Sequence, residues 1–238
     1  MALYIVSTPI GNLEDITYRA VRILGQVNLI LAEDTRVTRI LLNHYNISKP
    51  LLSYHDFNKE KVTPQIIQRL KNQEDIALVS DAGTPGIADP AFNLVREAIK
   101  ENITIFPIPG ASAIIAALVC SGLPTDRFVF EYFLPHKSSQ RLRLFEQFKS
   151  EPRTIVFYET PHRIIKVLNE MKQVLPDTTV VIGRELTKIH EQFLRGTPDE
   201  LLLHYSKRTP KGEMVVLINT RVASSYECSI EEQEDENE

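Results

Sequence analysis

The sequence contains no tryptophan and only two cysteines, Cys120 and Cys228, in 238 residues. Two cysteines so far apart make neither a disulfide framework nor a CxxC pair, which points to a reducing compartment, the cytoplasm. No apolar run approaches the ~20 residues that cross a bilayer as a helix, so no membrane partner is expected. The start, MALYIVSTPIGN, carries no basic leader and reads as a first strand rather than a signal peptide. The six histidines are scattered, without the spacing of a metal site, and no metal is expected. There is no GxxxxGK[ST] loop, and no GxGxxG between the first strand and helix. Those two absences exclude a Walker phosphate loop and a dinucleotide fingerprint.

What is present has an ordinary globular balance, 43% hydrophobic and 24% charged residues. The net charge of −4 is unevenly divided. Residues 1–125 hold 11 Lys/Arg and 12 Asp/Glu, residues 126–221 hold 16 and 12, and residues 222–238 hold none and 7. The closing EEQEDENE is therefore expected to be a disordered acidic tail, and the second half of the body is mildly basic. That balance permits a nucleic-acid partner without requiring one.

Along the chain, apolar β-branched runs alternate with segments of helical spacing. LYIVST, NLILAEDT, IALVS and ITIFPIPGAS read as strands. DITYRAVRIL, with Asp15 as N-cap, RVTRILLNHY, TPQIIQRLKN, starting at Thr63-Pro64, AFNLVREAIK and AIIAALVCSG read as helices. Gly122 and Pro124 break the last of these. The pattern then resumes with FVFEYF, RTIVFYE, TTVVIGRE, EQFLRG and GEMVVLIN as strands. Between them lie the helices SSQRLRLFEQFKS, TPHRIIKVLNEMKQVL and TPDELLLHY, the last opening on a Thr197–Glu200 capping box. The expectation is two α/β domains, residues 1–121 and 122–222, followed by the tail 223–238.

Four loops follow strand ends: STPIGNL (7–13), SDAGTPGIADP (80–90), PIPGASA (107–113) and YETPHR (158–163). In an open α/β sheet, ligands sit outside the carboxyl ends of the strands, where such loops lie. Three of them are rich in Pro and Gly and poor in charge, so they would bind through backbone and shape. A compact ligand of adenosine or amino-acid type suits that surface.

Seven blocks carry a family resemblance: STPIGNLEDITYRA, LAEDTR, LVSDAGTPGIADP, PIPGASA with SGLPTDRF, TIVFYETPHR, GRELTK and KGEMVVLI. In order and spacing they resemble the bacterial ribosomal RNA small-subunit methyltransferase I family, a branch of the tetrapyrrole (uroporphyrin-III C/corrin) methylase superfamily. The resemblance implies two α/β domains with S-adenosylmethionine (SAM) in the cleft between them, a homodimer, and 2′-O-methylation of a cytidine in the decoding region of 16S rRNA, within the small ribosomal subunit. Carried over block by block, the SAM contacts would be Pro9, Ala82, Gly83, Thr84, Ile87, Ser112, Ala113, Tyr158, Glu159, Leu186 and Met214. Members commonly continue beyond KGEMVVLI as a helical extension thought to help grip RNA, whereas this chain offers RVASSYECSI and the acidic tail.

Methyl transfer from SAM to a hydroxyl is an in-line displacement that needs positioning and help with one proton. Asp34 or Glu185 could accept that proton. Arg36, Arg184 or Lys211 could hold a phosphate or stabilise the alkoxide. The alternative for Asp34–Arg36 and Arg184–Glu185 is an ion-paired loop brace. His55 and His162 are candidate RNA contacts. Lys137, Arg141 and Arg143, like Lys207, Arg208 and Lys211, form either a solvated face or a phosphate track. Tyr4 and Phe157 read as core. Three functions compete: an rRNA ribose methyltransferase, a porphyrinoid methyltransferase, and a SAM-binding assembly factor without catalysis. The first loop, STPIGNL rather than a GPGD-type loop, and the AEDTR block favour the RNA branch.

Residues 224–238 contain too few apolar groups to offset their ordering entropy. Truncation after Ala223 should leave the melting temperature nearly unchanged in a thermal scan. A large drop would mean that the tail packs on the body.

Overall fold

The computed structural model describes residues 1–223, so the acidic tail lies outside the described residues apart from Ala223, which ends a strand. The chain divides into two units, Met1–Ser112 and a second that begins at Ala113.

In the first unit the strands are β1 (Leu3–Val6), β2 (Leu29–Ala32), β3 (Leu51–Ser53), β4 (Ile76–Val79) and β5 (Ile105–Ile108). They lie in the order β3-β2-β4-β1-β5, and every pairing is parallel. Parallel neighbours require crossovers, and these carry α1 (Tyr18–Gln26), α2 (Thr35–His44), α3 (Lys59–Lys71) and α4 (Ala91–Lys100). Side-chain alternation decides which face each helix covers. Leu29, Leu31, Ile76 and Leu78 join Ile66, Leu70 and Leu94 in one cluster. Ile30, Ala32, Ala77 and Val79 join Ala20, Ile23, Leu24 and Leu42 in another. With both faces covered, β2 and β4 are buried throughout, which is why they read as unbroken apolar runs.

The second unit runs α5 (Ala113–Ser121), β6 (Phe128–Phe133), α6 (Ser138–Phe148), β7 (Thr154–Glu159), α7 (Pro161–Val174), β8 (Thr178–Arg184), β9 (Gln192–Gly196), α8 (Pro198–Lys207) and β10 (Met214–Ala223). Its sheet has the order β6-β7-β10-β8-β9. Among the described residues only β6 and β7 are parallel; the other pairings are antiparallel. Phe145, Phe148, Ile164, Leu168, Met171 and Leu201 from α6, α7 and α8 pack on one face with Phe157, Ile182 and Val216. The helix α5 lies against β7, β8 and β10.

Four local expectations change. The domain boundary moves from residue 122 to the Ser112–Ala113 junction, because α5 belongs to the second sheet. Arg195 of β9 ties it there, donating from Nη2 to the Cys120 carbonyl at 2.5 Å and from Nε to the Ser121 carbonyl at 3.2 Å. Those are carbonyls at the helix end, where a cation also meets the negative end of the helix dipole. The N-cap of α1 is Thr17, whose hydroxyl accepts from the Ala20 amide at 3.1 Å, while Asp15 sits in a short 3-10 turn, Leu13–Asp15. The helix α3 begins at Lys59, so Pro64 lies inside it rather than at its start. Pro64 is on the exposed side, as is Glu60, whose carbonyl gets no amide partner from the proline. The Thr197–Glu200 capping box is present as expected, with the Thr197 amide donating to Glu200 Oε2 at 2.7 Å.

The fourth change concerns Arg141. Lys137 and Arg143 are exposed, but Arg141 is only 2% exposed and faces the core side of α6 with Phe145 and Phe148. Its Nε and Nη2 donate to the two oxygens of Glu170 on α7 at 2.6 and 2.7 Å. Its Nη1 donates to the Pro135 and His136 carbonyls, each at 2.7 Å. Ser138 adds a hydrogen bond to Glu170 at 2.6 Å. Burial pushes the Glu170 carboxyl up, but the bonds from Arg141 and Ser138 outweigh it and hold the group below its ordinary value. A depressed carboxyl contributes stability above its unfolded pKa, and that contribution is lost as pH falls through the folded pKa.

Removing one member of a buried pair leaves the other uncompensated. Arg141→Ala should therefore destabilise the protein by about 3–5 kcal/mol, read from denaturant melts. The double variant Arg141→Met/Glu170→Leu should recover much of that loss. An Arg141→Ala variant as stable as the parent would show that the pair is not buried in solution.

Candidate functional site

In the first unit, β1 and β4 are neighbours whose crossovers leave in opposite directions, β1 toward β2 and β4 toward β5. The carboxyl ends of two such strands form the crevice in which open α/β sheets bind ligands. The chain reinforces it there. The Thr8 amide donates to the Gly83 carbonyl at 2.9 Å and the Gly83 amide returns to the Thr8 carbonyl at 3.1 Å, an antiparallel bridge between the two loops. The Thr8 hydroxyl donates to the Ser80 carbonyl at 3.2 Å.

A third loop, from the end of β5, is tied in by hydroxyls. Thr84 Oγ1 donates to the Ala111 carbonyl at 3.1 Å, so the 2.9 Å contact between Ser7 Oγ and Thr84 Oγ1 has Ser7 as donor. Two glycines permit the approach. Gly83 has φ +80°, and a Cβ there would lie 3.3 Å from Ile10 Cγ2. A Cβ on Gly110 would lie 2.9 Å from the Ser7 Cβ. The far end of the β4 loop is closed by Asp89, which accepts from the Gly86 and Ala91 amides at 2.8–2.9 Å.

The structure thus brings Pro9, Ala82, Gly83, Thr84, Ile87 and Ser112 onto three joined loops of one sheet edge. Pro9 and Gly83 are buried, and Ala82 and Ile87 are exposed. Ala113 opens α5 and belongs to the second unit. Sequence reading missed the residues that do the joining, Ser7, Thr8, Ser80 and Gly110. Their signal was small and polar residues set directly where apolar runs stop.

Beside these loops the edge is acidic. The Asp34 amide donates to Asp81 Oδ1 at 2.8 Å. Asp34 caps α2 by accepting from the Arg36 amide at 2.8 Å, and its carboxylate holds the Arg36 guanidinium at 2.6 to 3.1 Å. Those hydrogen bonds lower the Asp34 carboxyl to about 2. Its neighbour Glu33 moves the other way: burial, then the charges of Asp81, Asp89, Asp56 and Asp34, push it up.

The second-unit candidates also converge. Across β7, β10 and β8, Met214 is in register with Glu159 on one side and Arg184 on the other, and Tyr158 precedes Glu159. Leu186 is buried just beyond, its Cδ2 3.2 Å from where a Cβ on Gly183 would lie. Glu185, at φ +50°, joins the GRELTK and KGEM blocks. Its amide donates to the Glu213 carbonyl and its carboxylate accepts from the Glu213 amide, both at 2.9 Å, with Lys188 Nζ at 2.9 Å. Burial raises the Glu185 carboxyl, and these bonds bring it below its usual value. Arg184 donates from Nη2 to the His190 carbonyl at 3.3 Å and leaves a buried Nε unpartnered. Lys211 is exposed.

Glu159 is 2% exposed. Its Oε1 accepts from the Thr160 amide at 2.8 Å and pairs with Arg163 at 3.3 Å, while Oε2 has no partner. Burial pushes this carboxyl up against the opposing pull of Thr160 and Arg163.

Residues 2–202 match the family described as Tetrapyrrole (Corrin/Porphyrin) Methylases. A ribosomal RNA small subunit methyltransferase I from Synechocystis sp. is 50% identical over 217 residues, which cover 91% of this chain and 78% of that protein. The protein of the same name from Thermotoga maritima is 47% identical over 217 residues, 91% of this chain and 97% of its own. A long extension past the matched region is therefore not common to all these relatives. The crystal structure of a diphthine synthase superposes with a TM-score of 0.74 at 15% identity, covering 94% of this chain and 91% of that one, a likeness of fold alone. The chain belongs to the tetrapyrrole (corrin/porphyrin) methylase family, and within it to the group named ribosomal RNA small subunit methyltransferase I.

Proposed function

We propose that this methyltransferase moves the methyl group of SAM to the ribose 2′-hydroxyl of a cytidine in 16S rRNA, with the small ribosomal subunit as its acceptor. Family membership and the names of the close relatives support the reaction class and the RNA. The single observation that supports the cofactor site is the Thr8–Gly83 bridge with the Thr84–Ala111 tie. Together they hold main chain and small side chains in a charge-poor cradle that a Cβ at Gly83 would crowd. An adenosine or amino-acid moiety fits such a surface through backbone groups. On this reading Pro9, Ala82, Gly83, Thr84, Ile87 and Ser112 hold SAM, with Ala113, Tyr158, Glu159, Leu186 and Met214 as further contacts. Bound SAM supplies an already activated methyl group.

The protein's own residues have the tasks of holding the acceptor in line and easing its proton away. Asp34, kept near 2 by Arg36, stays ionised and is a weak proton acceptor. Glu185 is committed to Glu213 and Lys188. We assign both to setting their loops, and Arg36, Arg184 and Lys211 to phosphate. The reading carries with it a cytoplasmic location and a homodimer. No helix among the described residues is long and apolar enough to cross a membrane.

Two measurements test this. Gly83→Trp should remove SAM binding in calorimetry while circular dichroism shows a folded chain, and unchanged affinity would defeat the cradle. Small subunits from cells lacking the mark, incubated with SAM and enzyme, should gain 2′-O-methylcytidine on mass spectrometry of the digested rRNA. A methyl group on a base, on a porphyrinoid ring, or nowhere would defeat the ribose reading.

A further inference from the structure

Among the described residues, the strand β6 is at the end of its sheet and pairs with β7 alone. Its register slips between Phe130, opposite Val156, and Phe133, opposite Tyr158, so Glu131 and Tyr132 together face Phe157. This is a β-bulge, and such bulges re-aim side chains and often lie beside functional sites. Tyr132 takes the bulge at φ +57°, a backbone region that bulky side chains rarely enter. Its ring is turned outward, 50% exposed, with Phe133 at 39%.

Four rings form one continuous patch. Tyr132 lies 5.1 Å from Phe133 and 6.5 Å from Phe130, and both of those contact Tyr158, at 5.5 and 5.1 Å between centroids. The chain leaving the patch is fixed by two arginines. Arg163 donates to the Leu134 carbonyl at 2.8 Å and Arg141 to the Pro135 and His136 carbonyls at 2.7 Å. Exposed His136 and Lys137 follow at once, with Arg143 exposed on α6.

We infer that this patch stacks an unstacked base of the RNA acceptor, with Tyr132 as the outermost ring; the inference rests on the proposed rRNA reading. Aromatic faces beside cations are the chemistry of single-stranded RNA recognition, because every base has a π-face and every linkage a phosphate. The competing occupant, a second copy adding a strand to the β6 edge, is disfavoured by the bulge, which interrupts the ladder such an edge would extend. Strain at Tyr132 makes the position a poor choice for packing alone, since glycine would fit the backbone better.

That strain supplies the test. Tyr132→Gly removes the ring while relieving the backbone, so a fall in melting temperature is not expected. Binding of a fluorescein-labelled single-stranded oligoribonucleotide at low salt should weaken by roughly ten- to hundredfold. Tyr132→Phe, which keeps the ring face, should bind within about twofold of the parent, and SAM affinity by calorimetry should not move in either variant. Unchanged RNA affinity in Tyr132→Gly, or no oligonucleotide binding by the parent, overturns the inference. So does a change of oligomeric mass in light scattering that accompanies the loss, because a second copy would then cover the patch. If the oligonucleotide result holds but subunits gain no ribose methyl, the reaction assignment fails and the stacking site stands.

Discussion

The architecture of the candidate site depends on two parallel strands that end side by side. Because β4 and β1 are adjacent and point the same way, Ser80 and Ser7 leave the sheet at the same edge. The reciprocal hydrogen bonds of Thr8 and Gly83 then convert two loops into one short ladder. Without that bridge the Ser7–Thr84–Ala111 hydroxyl chain would have no fixed geometry to span. Gly83 favours the bridge, since at φ +80° a side chain would be strained and its Cβ would crowd Ile10.

Much of this was legible in the sequence because apolar runs stop abruptly at small polar residues. Both buried faces of β2 and β4 appeared as unbroken runs, and the Pro/Gly loops marked the carboxyl edge. What failed was information that tertiary neighbours supply. Arg141 looked like surface charge, yet its spacing to Phe145 and Phe148, four and seven residues on, is that of a buried stripe; the partner Glu170 lies on another helix. The helix α5 is apolar nearly all round, so it does not reveal which sheet it covers, and its tie, Arg195, is about 75 residues away. The Tyr132 bulge is a fact of register, which a single strand does not encode.

Charge is partitioned in the same way as structure. Asp81, Asp89, Asp56 and Asp34 all act on Glu33 at the carboxyl ends of β2, β3 and β4, where Arg36, paired with Asp34, is the cation set among them. The excess of lysine and arginine lies in residues 126–221, in the unit that also carries the aromatic patch. A polyanion would therefore be drawn first to the second unit's cationic faces.

The strand order of the first unit also bears on how the chain is made. The strand β1 is synthesised well before its neighbours β4 and β5, whose residues begin at Ile76 and Ile105. Through most of the first unit's synthesis, then, an apolar strand destined for the sheet interior has no partner on either side. The earliest native pair available is β2 with β3, through the short α2 crossover. Non-local parallel pairing of this kind folds slowly and leaves strand edges open to aggregation. Growth of the nascent chain past Ile108 is thus the point at which β1 can first be enclosed on both edges.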